Sequence, residues 1–213
     1  DTEDKTYVLP DQQSVFIGRD VELGDLLTRC RRCWAEDVAT WSLITGAPGI
    51  GKSRLVSEFL NAVQTCEQDV TIVRASADEA RRFVAWSMLG AAVRNHIGLR
   101  PGDEVEHARA RLEELVATLG LETTHVDWLA YTLGLRLESE TAGITGAAKL
   151  DERILRDQVT GALGDVFSCL SAQSKVLLVL EDVHRADAAS LECVDVLVHR
   201  LTDSPIAVVM TGR

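Results

Sequence analysis

Apolar residues recur along the chain in two rhythms, and the switching between them predicts alternating helices and strands. From Asp20 to Ala35, Val21, Leu23, Leu26, Leu27 and Cys30 follow helical spacing, with Asp20 a natural N-cap. Trp41 to Thr45 is a short apolar run that ends at a glycine, which predicts a buried strand. A helix from about Lys52 to Val63 and a strand over Val70 to Ala75 come next. The middle of the chain reads as mostly helical. Arg81 to His96 places Phe83, Trp86, Leu89 and Val93 three and four residues apart, and Asp103 to Leu119 carries an apolar face of Val105, Ala108, Leu112, Leu115 and Val116. Residues 137–148 are rich in Gly, Thr and Ser and predict an exposed loop. A helix over Lys149 to Leu170 leads to Val176–Leu180, the most apolar strand. A helix over Asp187 to Arg200 and a strand over Pro205 to Thr211 close the pattern. Continuous apolar strands alternating with helices predict a parallel sheet covered on both faces. Residues 1–15 are polar and read as a linker entering a domain. No internal repeat and no low-complexity tract interrupts the order.

Composition narrows the function classes. The 213 residues are 46% hydrophobic and 26% charged, enough for one sizeable packed domain. A net charge of −11 argues against direct contact with nucleic acid, which calls for a basic surface. No apolar run reaches the ~18 residues of a membrane span. The five cysteines are scattered and odd in number, with no signal-peptide pattern, so a reducing cytoplasm is the expected compartment. Cys30 and Cys33 have a suggestive spacing, yet they lie in a helical pattern without a second Cys/His pair. They read as ordinary helix positions rather than a redox or metal site. Four lysines against eighteen arginines, in an Ala/Leu/Val-rich background, suggest a high-GC bacterial genome.

One segment carries specific chemistry. Gly46, Ala47, Pro48, Gly49, Ile50, Gly51, Lys52 and Ser53 fit G-x-x-x-x-G-K-[ST] at every fixed position, between a predicted strand and a predicted helix. Glycines let successive peptide N–H groups turn inward around a phosphate, and the helix beginning there adds its positive dipole end. Lys52 would reach the β- and γ-phosphates, and the Ser53 hydroxyl would serve Mg²⁺, with Arg54 beside them.

Glu181 and Asp182 immediately follow five apolar residues, which puts them at the carboxyl end of a buried strand, where open α/β sheets bind ligands. An acid there can hold Mg²⁺ while its neighbour orients an attacking water. By position Glu181 takes the metal role and Asp182 the catalytic one, although which of the two contacts the metal stays open. Arg213 ends the last strand. If that strand lies between the glycine-loop strand and the acidic strand, Arg213 would face the γ-phosphate; otherwise it is a solvated arginine at a chain end.

Taken together, these segments resemble the ATPase domain of the signal-transduction ATPases with numerous domains, the STAND class of AAA-like regulators. Phe16, Ile17, Gly18 and Arg19, continuing to Leu23, resemble the opening motif whose backbone cups adenine. Gly46 to Ser53 is the Walker A loop. Arg82 to Trp86 resembles the aromatic segment after the second strand, Leu177 to Asp187 the extended Walker B segment, and Thr211 to Arg213 the sensor position. One departure is Arg185, where the class usually has Trp.

The resemblance implies an α/β P-loop NTPase core over residues 16–213, with sheet order 2-3-4-1 and a mostly helical insertion. It implies ATP or ADP and Mg²⁺ as ligands, with Lys52, Glu181 and Asp182 catalytic and Ser53, Glu181 and Asp182 around the metal. Phe16 to Arg19 would contact adenine, and Arg213 would sense the γ-phosphate. The class continues with a fifth strand, a lid and output domains, so the chain is expected to be a piece of a larger regulator. Its expected role is a slow, ATP-dependent switch in a transcriptional regulator, with other domains of the same protein and nucleotide-dependent self-association as the expected partners. Alternatives are another output, such as an adenylyl cyclase or kinase, a stand-alone phosphoryl-transfer enzyme, or a scaffold that binds nucleotide without hydrolysis.

Overall fold

The structure is a computed structural model that describes residues 18–100, 102–135 and 152–213. Phe16, Ile17, the 1–15 linker and the 137–148 loop lie outside the described residues. Four strands form one parallel sheet: β1 (Thr40–Thr45), β2 (Val70–Ser76), β3 (Lys175–Glu181) and β4 (Ile206–Gly212), in the order β1-β4-β3-β2. Read from the other edge this is 2-3-4-1, the expected α/β arrangement.

Helices cover both faces. On one face lie α1 (Asp20–Glu36) and α2 (Lys52–Cys66), which bury Leu26, Cys30, Leu55 and Phe59 against Leu177, Val179, Ala207 and Val209. On the other, α3 (Ser87–His96), α4 (Val105–Thr118), α5 (Thr124–Thr132), α6 (Glu152–Gln173) and α7 (Ala188–Arg200) enclose a larger core. That core takes in Val176, Leu178, Leu180, Ile206 and Val208 from the sheet. Successive residues of β3 point to opposite faces and both faces are buried, which is why its sequence is apolar at every step.

The structure corrects several local expectations. Arg19, not Asp20, is the N-cap of α1, and no side chain caps that end. Val21, at 75% exposure, lies off the buried stripe, which is instead Leu26, Cys30, Cys33 and Trp34. Val105 opens α4 but is exposed. The helix expected from Arg81 begins only at Ser87, because a short 3₁₀ turn over Glu79–Arg81 leads into an irregular stretch that ends with Trp86 left-handed at φ 56°. Phe83 therefore leaves the helical pattern and stands 91% exposed, while Trp86 is buried. The helix α5 had no sequence signal of its own. It packs so closely on α3 that a Cβ on Gly90 would come within 2.1 Å of the Thr132 carbonyl oxygen. Only glycine fits there.

Candidate functional site

The parallel register brings four strand ends to one edge of the sheet. Thr45 pairs with Gly212, Leu180 with Met210, and Ser76 with Glu181. The glycine loop leaves β1, the acidic pair leaves β3, and Arg213 leaves β4, so all three emerge together. Because β4 lies between β1 and β3, the condition set for Arg213 is met. Its side chain is exposed there.

The loop between β1 and α2 is a tight curl. Gly49 and Gly51 have φ of 79° and 91°, left-handed values that glycine adopts without strain, and Gly51 is the N-cap of α2. Among the described residues, the amides of Gly49, Gly51, Lys52 and Ser53 donate to no backbone carbonyl. Helix starts leave such donors unpaired, and together with the helix dipole they favour an anion. The Lys52 ammonium folds back under the loop, donating to the carbonyls of Gly46 at 2.7 Å and Ala47 at 3.1 Å. Lys52 is buried, whereas Ser53 is exposed on the first turn of α2. Arg54 is turned along α2 toward Glu58, at 2.7 Å. Arg19 donates to the carbonyl of Ile50, tying the start of α1 to the loop, and the adjacent Gly18 is left-handed at φ 89°. A cleft of about 460 Å³ runs beside them, between α1 and the outer edge of β1, lined by Arg19, Glu22, Trp41, Leu43 and Leu55. A roomier cleft, about 670 Å³, lies between α6 and α7, on elements that carry none of the loop or acidic residues. Its two arginines, Arg156 and Arg200, are paired with Glu192 and Asp165.

The two acids are held differently. Strand alternation puts Glu181 on the face of Leu177 and Val179, the face covered by α2. Its side chain is only 8% exposed, and Oε1 accepts from Arg74 Nε at 2.8 Å and Nη2 at 2.6 Å. Asp182 follows in a left-handed turn at φ 54°, its peptide N–H donating to Thr211 Oγ1 at 2.9 Å. The Asp182 carboxylate has no partner among the described residues. Arg74 escaped the sequence reading because an arginine in an edge strand looks like an outward solvated residue. The β2–β3 register alone reveals it as the neighbour of Glu181.

The donor set suits Mg²⁺. Among the described residues no group of three or more His, Cys, Asp or Glu side chains could cage a metal. Mg²⁺ at phosphates needs no such cage, since it takes one or two carboxylates, phosphate oxygens and water. The Ser53 hydroxyl, the second oxygen of Glu181 and the Asp182 carboxylate are the groups that could hold it. Cys30 and Cys33 are free thiols buried on α1. Burial pushes their thiols up to about 12 and about 11, so both stay protonated and unreactive near neutral pH.

The segment beyond the acids is anchored by Asp187, which is buried at the N-cap of α7. Its carboxylate accepts from the amides of Trp86, Met88 and Ser190 and from the Ser87 hydroxyl. Arg185, where the resemblance has Trp, instead approaches Glu79 at 3.7 Å.

Among the described residues, no helix is long and apolar enough to cross a membrane. No curated protein matches the chain. The sequence profile of one family, described as the AAA ATPase domain, matches residues 15–209. That span takes in the glycine loop, the acidic pair, the first three strands and the start of β4. The chain belongs to the AAA ATPase domain family and is a nucleotide-binding ATPase module.

Proposed function

We propose that this module is a slow, ATP- and Mg²⁺-dependent switch that reports its nucleotide state to other domains of a multidomain transcriptional regulator. The observation that carries the reading is the link between β4 and the acidic turn, where Thr211 holds the Asp182 amide while Arg213 leaves the same strand. A γ-phosphate resting on the loop would meet Lys52, the Asp182 turn and Arg213 together. A ligand shifts a conformational equilibrium only through differential contacts with the two states, and these are groups that differ between ATP and ADP.

In this reading the loop amides and Lys52 grip the phosphates, while Ser53 and Glu181 hold the metal. Asp182 orients the attacking water, and Phe16 to Arg19, together with the cleft that Arg19 lines, receive adenine. Mg²⁺, when bound, neutralises charge on the β- and γ-phosphate oxygens. Asp182 is one methylene shorter than the glutamate usual in the catalytic position, which favours slow hydrolysis.

Hydrogen exchange tests the switch. The segments 79–87 and 181–187 should exchange differently with a non-hydrolysable ATP analogue than with ADP. Identical protection in both nucleotides, with phosphate transfer accelerated by a small acceptor, would place a metabolic phosphotransferase ahead.

A further inference from the structure

We propose that Arg74 is a resident counter-cation for Glu181 that Mg²⁺ has to displace, so that metal arrival is registered as release of the Arg74 side chain. The inference rests on the nucleotide-site reading above and adds a residue to it.

A carboxylate as buried as Glu181 is costly without a partner, and Arg74 supplies one by directing two N–H groups at a single oxygen. A guanidinium and a divalent cation drawn to the same carboxylate repel each other, so each weakens the hold of the other. The surroundings let the arginine leave without disturbing the sheet. Its peptide carbonyl accepts from Asn95 Nδ2 at 2.8 Å, which fixes β2 to α3, and β2 is paired with β3 along its whole length. The Arg74 side chain is 49% exposed, so its head can swing into solvent by side-chain rotation alone. Displacement therefore changes a charge on the surface of the edge strand, beside the segment that leads to Phe83.

A residue that merely oriented Glu181 for the metal would act with the opposite sign, and this difference makes the idea testable. The readout is the ratio of ADP dissociation constants in EDTA and in Mg²⁺, for the wild type, Arg74→Lys and Arg74→Gln. Glutamine keeps a hydrogen-bond donor toward Glu181 and so guards against misfolding, while removing the charge. Competition predicts that Mg²⁺ tightens ADP more in Arg74→Gln than in the wild type, by about fivefold or more, with Arg74→Lys close to the wild type. It also predicts that Mg²⁺ alone raises the melting temperature of Arg74→Gln more than that of the wild type. A ratio that is unchanged or smaller in Arg74→Gln overturns the proposal while leaving the nucleotide site standing. Absence of ADP binding by the wild type in either buffer would overturn both.

Discussion

The carboxylate of Asp187 accepts the peptide N–H of Trp86 at 2.7 Å, joining the loop after β3 to the turn before α3 across 101 residues of chain. The same side chain also caps α7 through Ser190. Asp187→Ala would remove the cap and leave buried amides unpaired, a combined cost of about 2–4 kcal/mol. Urea denaturation should show that loss, and faster hydrogen exchange should concentrate at residues 79–90. A variant within 0.5 kcal/mol of the wild type, on the scale of an ordinary surface change, would mean the carboxylate is not the anchor described.

The contact between α3 and α5 makes a second demand. Since a Cβ at Gly90 would collide with the backbone of Thr132, Gly90→Ala must push the helices apart. Overpacking of this kind costs about 1–3 kcal/mol, despite the better helix propensity of alanine. A stabilised Gly90→Ala protein would contradict the packing.

The buried cysteines tie stability to high pH. Cys30, Cys33 and Cys193 have thiols raised, chiefly by burial, to about 12, about 11 and about 11. In the unfolded chain they ionise near the ordinary value of 9.0. Their contribution is therefore complete below about pH 9 and is lost as the pH climbs from there through the folded values. Urea midpoints measured in reductant should fall above pH 9, and fall less steeply in Cys33→Ala. Native labelling at pH 8 should modify exposed Cys66 first. Labelling of Cys30 at the rate of Cys66 would contradict the burial.

Hydrolysis should be slow. Arg19, the cation tied to the loop, is already engaged with the Ile50 carbonyl. An arginine supplied to the transferring phosphate is worth about 10³–10⁵ in rate where it occurs. Phosphate release should therefore run well below the enzyme median of ~10 s⁻¹. The residual rate should fall in Asp182→Asn with ATP affinity largely kept. Several turnovers per second from residues 1–213 would contradict the switch.

Much of the fold and the loop could be read from residues because each carried its own local signal. The apolar run Val176–Leu180 announces a strand buried on both faces, and the spacing from Gly46 to Ser53 announces a phosphate curl. What could not be read is what depends on contacts distant in sequence. The late start of α3 follows from Trp86 turning left-handed where Asp187 holds its amide, and nothing between Arg81 and Ser87 encodes that partner. The pairing of Arg74 with Glu181 needs the β2–β3 register. The close packing of α5 on α3 needs Gly90, which in sequence is one glycine in a helix.

Titration calorimetry with ATP and Mg²⁺ tests the central claim, that the curl from Gly46 to Ser53 grips a nucleotide phosphate chain. Lys52, whose ammonium donates to the loop carbonyls of Gly46 and Ala47, is the residue to change. Losing a charge-assisted bond of about 1.5–3 kcal/mol corresponds to a roughly tenfold to hundredfold weaker dissociation constant. The account predicts that loss in Lys52→Ala, with a circular dichroism spectrum matching the wild type. A folded Lys52→Ala protein that binds ATP as tightly as the wild type would contradict it.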